Sequence, residues 1–268
     1  MTGIYGSDAG QTPARVRFRT EIAVTEIRMW RLLLIALLAT LVGTCSNAPS
    51  TLDQIIDLGE LRVVTRNTPT SYFVGPEGPA GPEFDLVRGF AEDLGVSLVI
   101  ETVDSVSEIL PHLADGKAHM AAAGLSMTDS RRESLDFGHP YNSVDMHLIY
   151  KLGTSKPRSI EAVAGRSVEV VAASSHSDMM RSLGQTYPGL EWAENTTDEV
   201  DDLLKKVALG EVKFTIADST EFNIQRHFYP ELRVALDLKL DDPIAWAFRK
   251  DADQSLLARA DDYIISTE

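Results

Sequence analysis

The chain is short of cysteine, of long apolar runs and of basic residues, and each shortage excludes something. A single cysteine, Cys45, among 268 residues rules out an intramolecular disulfide and any cluster of thiolate metal ligands. The longest apolar run, Leu32 to Val42 (LLLIALLATLV), falls well short of the roughly 20 residues that a membrane-spanning helix needs. Twenty-five Lys and Arg stand against 40 Asp and Glu, a net charge of −15, and beyond residue 45 the balance becomes −17. So acidic a surface repels phosphate backbones, which sets nucleic acid aside as a partner. The histidines at 112, 119, 139, 147, 176 and 227 show no HxxxH or HExxH spacing, so no metal site is expected. Neither a phosphate-binding glycine loop nor a Gly-x-Ser-x-Gly elbow is present, and no cofactor is expected. Apolar content of 44% with 24% charged residues is ordinary for a chain that buries a core.

What is there begins with an export signal. The run Leu32–Val42 follows Trp30-Arg31 and suits the apolar region of a signal peptide. It ends in Leu41-Val42-Gly43-Thr44-Cys45, which resembles a lipobox, where the cysteine becomes the lipidated first residue of the mature protein. Residues 1–45 are therefore read as a signal segment with Cys45 as the lipidation site. Met29 is read as the true start, because residues 1–28 are long and polar for what precedes such a run. Residues 46–58 are read as a linker. Ser46 after the cysteine points to the outer membrane, giving a membrane-anchored lipoprotein facing the periplasm.

The remainder alternates strand-like and helix-like segments, the pattern of an α/β fold. Strands are expected at 61–65, 96–100, 120–123, 146–150, 168–172, 214–217, 232–236 and 244–248. The spacing of Val87, Phe90, Ala91 and Leu94 predicts a helix over 83–94, with Gly95 at its C-cap. Further helices are expected from Asp104 or Ser105 to Gly116, and over 178–187, 197–209 and 254–266. Two α/β blocks of this kind suggest two lobes with a cleft between them. The first lobe is read as 59–152 with 236–268, the second as 153–235. Ligands in such folds sit at the carboxyl ends of strands and in the crevice.

Two segments carry a specific likeness. Gly81 to Gly95 (GPEFDLVRGFAEDLG), then Leu113 to Arg131 (LADGKAHMAAAGLSMTDSR) and Leu135 to Tyr141 (LDFGHPY), resemble the signatures of the family 3, amino-acid type solute-binding proteins. Taken with Gly59–Val63, Ser174–His176, Tyr187–Trp192, Thr215–Ser219 and Pro230–Asp237, residues 52–268 are similar to the N-terminal half of membrane-bound lytic murein transglycosylase F. The resemblance implies a two-lobed, type II-like periplasmic solute-binding fold that regulates an attached peptidoglycan-cleaving domain. The whole enzyme would cleave the MurNAc–GlcNAc bond and leave a 1,6-anhydro sugar. Its catalytic domain would lie beyond Glu268, so no catalytic residue is expected within this chain. An amino acid, peptide or muropeptide would bind in the cleft, peptidoglycan would engage the further domain, and the lipid would hold the membrane. The alternative is a free-standing amino-acid-binding lipoprotein of an ABC importer.

The resemblance also names candidate ligand residues. Arg131 matches the arginine that clamps a ligand carboxylate, a task suited to a planar guanidinium; its plainer reading is a solvated side chain at a helix start. Gly124 and Ser126 match the donors just upstream. Asp218 matches an aspartate that binds an α-ammonium group, or it is a helix N-cap before Ser219-Thr220-Glu221. Ser175 and His176 sit between a strand and a helix, where exposed amides form an anion nest, with capping by Ser177 as the simpler role. Tyr72 is read as an apolar wall for the ligand side chain, or as core.

Overall fold

The chain passes twice between two five-stranded sheets, and those two passages define the lobes. The computed structural model describes residues 48–165, 168–250 and 252–267. The signal segment, Met29 and Cys45 lie outside the described residues. Among those residues, no helix is long and apolar enough to cross a membrane.

The first sheet runs in the order β4-β1-β5-β12-β6, with β1 (Glu60–Arg66), β4 (Ser97–Val103), β5 (Met120–Ala121), β6 (Leu135–Phe137) and β12 (Ala247–Arg249). Strands β4 and β5 flank β1 in parallel, while β12 runs antiparallel to both β5 and β6. One face of the sheet packs Leu61, Val63, Phe90, Met120 and Trp246, and the other packs Val64, Ile109, Leu113 and Ala121. The second sheet runs β11-β7-β10-β8-β9, from β7 (Asn142–Lys151), β8 (Val168–Val171), β9 (Trp192–Asn195), β10 (Phe214–Asp218) and β11 (Leu232–Ile244). Its faces bury Leu148, Val170, Met180 and Ile216 on one side and Ile149, Leu203, Leu204 and Val207 on the other. A short hairpin, β2 (Phe73–Gly75) with β3 (Gly78–Ala80), lies between β1 and the helix at Pro82.

These pairings correct the expected lobe boundaries. The chain enters the second sheet at Asn142 and leaves it at Ile244, and those two residues face each other in the β7–β11 ladder. Apolar alternation in Val144, Met146 and Leu148 fits either sheet; only pairing with β10 and β11 decides membership. Strand β11 also runs eight residues past its expected end at Leu236; Leu236, Leu238 and Leu240 continue an apolar alternation there, but register shifts and the Asp241-Asp242-Pro243 segment interrupt the ladder. The expected linker over 46–58 is likewise corrected. Ser50 caps a helix at Thr51–Leu58 with a reciprocal bond to Asp53, and Ile55 is buried in the first lobe's core.

Helix Pro82–Leu94 shows how sequence dictates the approach to the cleft. Pro82 occupies its first turn, where the missing N–H costs nothing. The preceding Gly81 has φ 138° and ψ 147°, and an added Cβ would stand 2.3 Å from the Ser71 carbonyl oxygen. That carbonyl already accepts the amide of Phe84 at 3.1 Å, so backbone presses on backbone and cannot yield. Gly81→Ala is expected to lose about 2–4 kcal/mol of stability, read by urea unfolding; a loss below about 1 kcal/mol would show that the turn relaxes freely.

Candidate functional site

Between the lobes lies a cavity of about 460 Å³, within the size range of small-molecule sites. Its first-lobe wall includes Arg66, Glu83, Gly124 and Arg131; its second-lobe wall includes Ser175, His176, Glu199, Asp218 and Glu221. Five of the expected residues therefore meet here: Gly124, Arg131, Ser175, His176 and Asp218. A second cavity of about 300 Å³ shares Val106, Leu125 and Arg131 with the first.

Two expected residues are placed elsewhere. Tyr72 does not line the cavity; it packs edge-on against Phe84, ring centroids 5.6 Å apart. Ser126 is buried, outside the lining, and its carbonyl instead accepts a bond from Arg131 at 3.0 Å. Gly124 reaches the cavity, but its amide is already donated to Glu83 at 2.8 Å.

Arg131 follows the Thr128 cap of a short helix, and its side chain turns back to the Ser126 carbonyl. Burial and the neighbouring Arg66 lower it to about 10, so it remains charged at neutral pH. Among the described residues, no carboxylate lies within ion-pair distance of it. A half-buried guanidinium in that state keeps N–H donors that can be turned to an anion. Arg66 differs. It crosses the cleft to Glu199 at 2.8 Å, while Thr128 and Ser130 both donate to Asp178 of the second lobe, the former at 3.0 Å.

The second-lobe wall is built from two helix starts. Ser174 caps the Ser175–Thr186 helix, accepting from the Ser177 amide at 3.2 Å and donating to the Val171 carbonyl at 2.6 Å. The cap is thus Ser174 and not Ser177, and the first-turn amides of Ser175 and His176 are left without intrahelical partners. Asp218 ends β10 and begins the Ser219–Phe228 helix in a capping box with Glu221, so both roles read for it from the sequence are compatible in place. His176 Nε2 lies 3.1 Å from Asp218 Oδ1. Burial works against charge on His176, but Asp218 overrides it and raises its affinity for a proton. Burial and the adjacent Asp218 carboxylate push Glu221 up to about 7.

Ligand atoms of His176, Asp218 and Glu221 all lie within 4.8 Å of one another, a set whose donors suit a divalent cation. Histidine spacing in the sequence gives no hint of it, because the fold alone joins residues 42 and 45 positions apart. Sequence reasoning also passes over Arg66, Glu83, Tyr141, Glu199 and Glu221. Glu221 stands in the sequence as the closing acid of an Asp-x-x-Glu box, and Glu83 as the acid of the Gly-Pro-Glu segment. Arg66 and Glu199 carry no local signal.

The titration of Glu221 has a sign that can be checked. Its folded value exceeds the ordinary 4.5, so between about pH 4.5 and 7 the folded state holds a proton that the unfolded state has released. Stability from this group therefore falls as pH rises through that window, by roughly 2–3 kcal/mol. In urea unfolding, wild type is expected to lose stability relative to Glu221→Gln from pH 4.5 to 7.5; a pH-independent difference would place Glu221 in water.

Sequence comparison agrees with this architecture. Membrane-bound lytic murein transglycosylase F of Saccharophagus degradans is 38% identical over 238 residues, covering 87% of this chain and 47% of that protein. The protein of the same name from Pseudomonas putida (strain W619) is 39% identical over 225 residues, covering 84% and 46%. The chain thus spans about half the length of these relatives. Among solved structures, arginine-bound, truncated ArgBP from T. maritima superposes with a TM-score of 0.70 at 22% identity, covering 81% of this chain and all of that one. An amino acid ABC transporter substrate-binding protein from Streptococcus pneumoniae, bound to L-arginine, gives 0.70 at 24% identity, covering 81% and 92%. Residues 61–266 match the bacterial extracellular solute-binding proteins, family 3, and the chain belongs to that family.

Proposed function

We propose that this segment is the ligand-sensing domain of a lytic murein transglycosylase F-type protein, closing on an amino acid or on the amino-acid part of a peptide-bearing wall fragment. The observation that carries the reading is Arg131, a charged guanidinium on the first-lobe wall with only a carbonyl partner. On the second-lobe wall stand Asp218 and His176, with the open amides of Ser175 and His176 beside them. A zwitterion fits such walls: its carboxylate on Arg131, its ammonium on Asp218. The solved structures of similar fold hold arginine or, in an ancestral arginine-binding protein, glutamine, in keeping with a ligand of this class.

A ligand that contacts both lobes favours the closed arrangement and can bias an attached domain. In the whole protein that domain would be the peptidoglycan-cleaving one suggested by the relatives' name, and Cys45 would carry the lipid that holds the protein at the outer membrane, facing the periplasm.

Calorimetric titration with a panel of free L-amino acids and wall stem peptides tests the reading. Arg131→Ala is expected to weaken the best binder by about 2–4 kcal/mol, or roughly 30- to 1000-fold, while urea stability shifts by less than about 1 kcal/mol. Undiminished binding would dismiss the carboxylate role. Asp218→Asn is expected to weaken amino acids far more than their N-acetyl forms; equal losses for both would leave Asp218 as a cap only.

A further inference from the structure

Helix capping leaves an imidazole and two carboxyl groups side by side on the second-lobe wall, and their spacing is that of ligands around one ion. His176 Nε2 and Asp218 Oδ1 are 3.1 Å apart. Two atoms bound to the same ion at about 2.0–2.1 Å stand about 2.8–3.4 Å apart, from octahedral to tetrahedral angles. A Glu221 carboxyl oxygen lies within 4.8 Å of the ligand atoms of the other two. Drawing it in takes a shift of roughly 1–2 Å. A glutamate side chain can make that move, and the bond that Glu221 accepts from the Asp218 amide is a long one, 3.4 Å.

Three further observations point to an ion. The imidazole is only 4% exposed, and its Nδ1 is buried without a hydrogen-bond partner. In the neutral ring one lone pair is therefore left over. It sits on Nδ1 if Nε2 donates to Asp218, or on Nε2, facing a carboxylate, if it does not. An ion against Nε2 takes that lone pair up and separates it from the carboxylate. Neither Asp218 nor Glu221 has a Lys or Arg partner among the described residues. All three side chains line the cavity, so an ion has a way in and water can complete its shell. Two helix starts and the Arg131 charge oppose a cation here. The helix ends count for about half a charge each, and Arg131 is beyond ion-pair distance of both carboxyl groups. Two carboxylates in direct contact with the ion outweigh them.

We infer that His176, Asp218 and Glu221 form a three-ligand site for a divalent transition-metal ion of the Zn²⁺ class, with water in its remaining positions. One imidazole with two carboxylates suits such ions, whereas Ca²⁺ and Mg²⁺ are held by oxygen alone. The inference goes beyond the amino-acid reading and does not need it. Asp218 is the ammonium's partner in that reading, so ion and ammonium are alternative occupants of one carboxylate.

Untagged protein, treated with chelator and dialysed, is titrated calorimetrically with ZnCl₂ at pH 7.5 with no amino acid present. One equivalent is expected to bind with a Kd of about 10 µM or tighter, and CaCl₂ and MgCl₂ at least about 100-fold more weakly. Glu221→Gln and Asp218→Asn, each checked for folding by its thermal unfolding, are expected to lose at least about 30-fold in Zn²⁺ affinity. His227→Ala, which removes an exposed histidine, is expected to change it by less than about twofold. X-ray absorption at the zinc edge of the wild type reads the ligands without any variant, and one imidazole among oxygen atoms is expected. No Zn²⁺ binding, binding that survives both carboxyl substitutions, or two or more imidazoles around the ion would overturn the inference, the last two marking an adventitious ion only. Failure of this titration leaves an Arg131-dependent amino-acid site untouched, and failure of amino-acid binding leaves the metal site untouched.

Discussion

One buried carboxyl group fixes the floor of this cleft. Glu83 accepts the Gly124 amide at 2.8 Å and the Tyr141 hydroxyl at 2.5 Å. It thereby ties three separate pieces of the first lobe: the start of the Pro82–Leu94 helix, the loop after β5, and the passage into β7. Burial raises its proton affinity and the two donated bonds work against that rise, so the carboxyl group is held by geometry and not by an ion pair. The consequences reach the site directly. Gly124 must adopt φ 63° to present its amide, which only glycine does readily. The chain leaving Gly124 then runs to Ser126, whose carbonyl holds Arg131. Gly81, with its own unusual backbone, allows the helix to start close enough for Glu83 to reach across. The segment Gly81-Pro82-Glu83 thus ties the helix start to the loop after β5, from which the chain runs on towards Arg131.

The opposite wall follows a different logic, that of two helix starts meeting at the carboxyl ends of β8 and β10. Ser174 and Asp218 occupy corresponding places, the one three residues after β8 and the other ending β10, and each caps the next helix. Between them His176 and Asp218 share a hydrogen bond, and Glu221 is drawn in by the capping box. Capping brings two carboxyl groups and an imidazole together for structural reasons, and their charge then becomes a property of the cavity. That is why Glu221 titrates near neutrality: local helix chemistry sets its place, and burial beside Asp218 sets its proton.

Local signals in the sequence reveal the elements well and their assembly poorly. Amphipathic spacing locates the helices that end at Leu94 and Leu209, within a few residues at their starts, because buried faces at helical period survive any tertiary context. The same signal cannot say which sheet holds a strand. β7 and residues 236–244 of β11 read from the sequence as first lobe, although β-ladder pairing puts both in the second. Arg131, Asp218 and His176 were legible through a family resemblance together with strand-end and cap positions. Tyr72 misled because an aromatic after a first strand suits a ligand wall and a core equally, and Phe84 settles it as packing. Arg66 and Glu199 escaped notice because their meaning lies wholly in a contact between residues 133 positions apart.

That contact bears on how the lobes are held. Asn142 and Ile244 sit side by side where the chain crosses between sheets, so two neighbouring extended segments form the only covalent joints between the lobes among the described residues. Across the cleft the chain itself supplies the Arg66–Glu199 pair and the bonds from Thr128 and Ser130 to Asp178. Neither is a strong latch. Glu199 retains a raised proton affinity despite its partner, because desolvation outweighs the attraction of Arg66. Asp178 divides its attention with Arg181 at 2.6 Å, which is largely exposed, and exposed pairs of that kind contribute about 0–1 kcal/mol. Interlobe bonds of this kind put up little resistance to a rearrangement of the lobes. Arg131 on one lobe and Glu221 on the other line the cavity between these bonds, and neither has an ion-pair partner among the described residues, so the cavity adds no clamp of its own to the weak contacts across it.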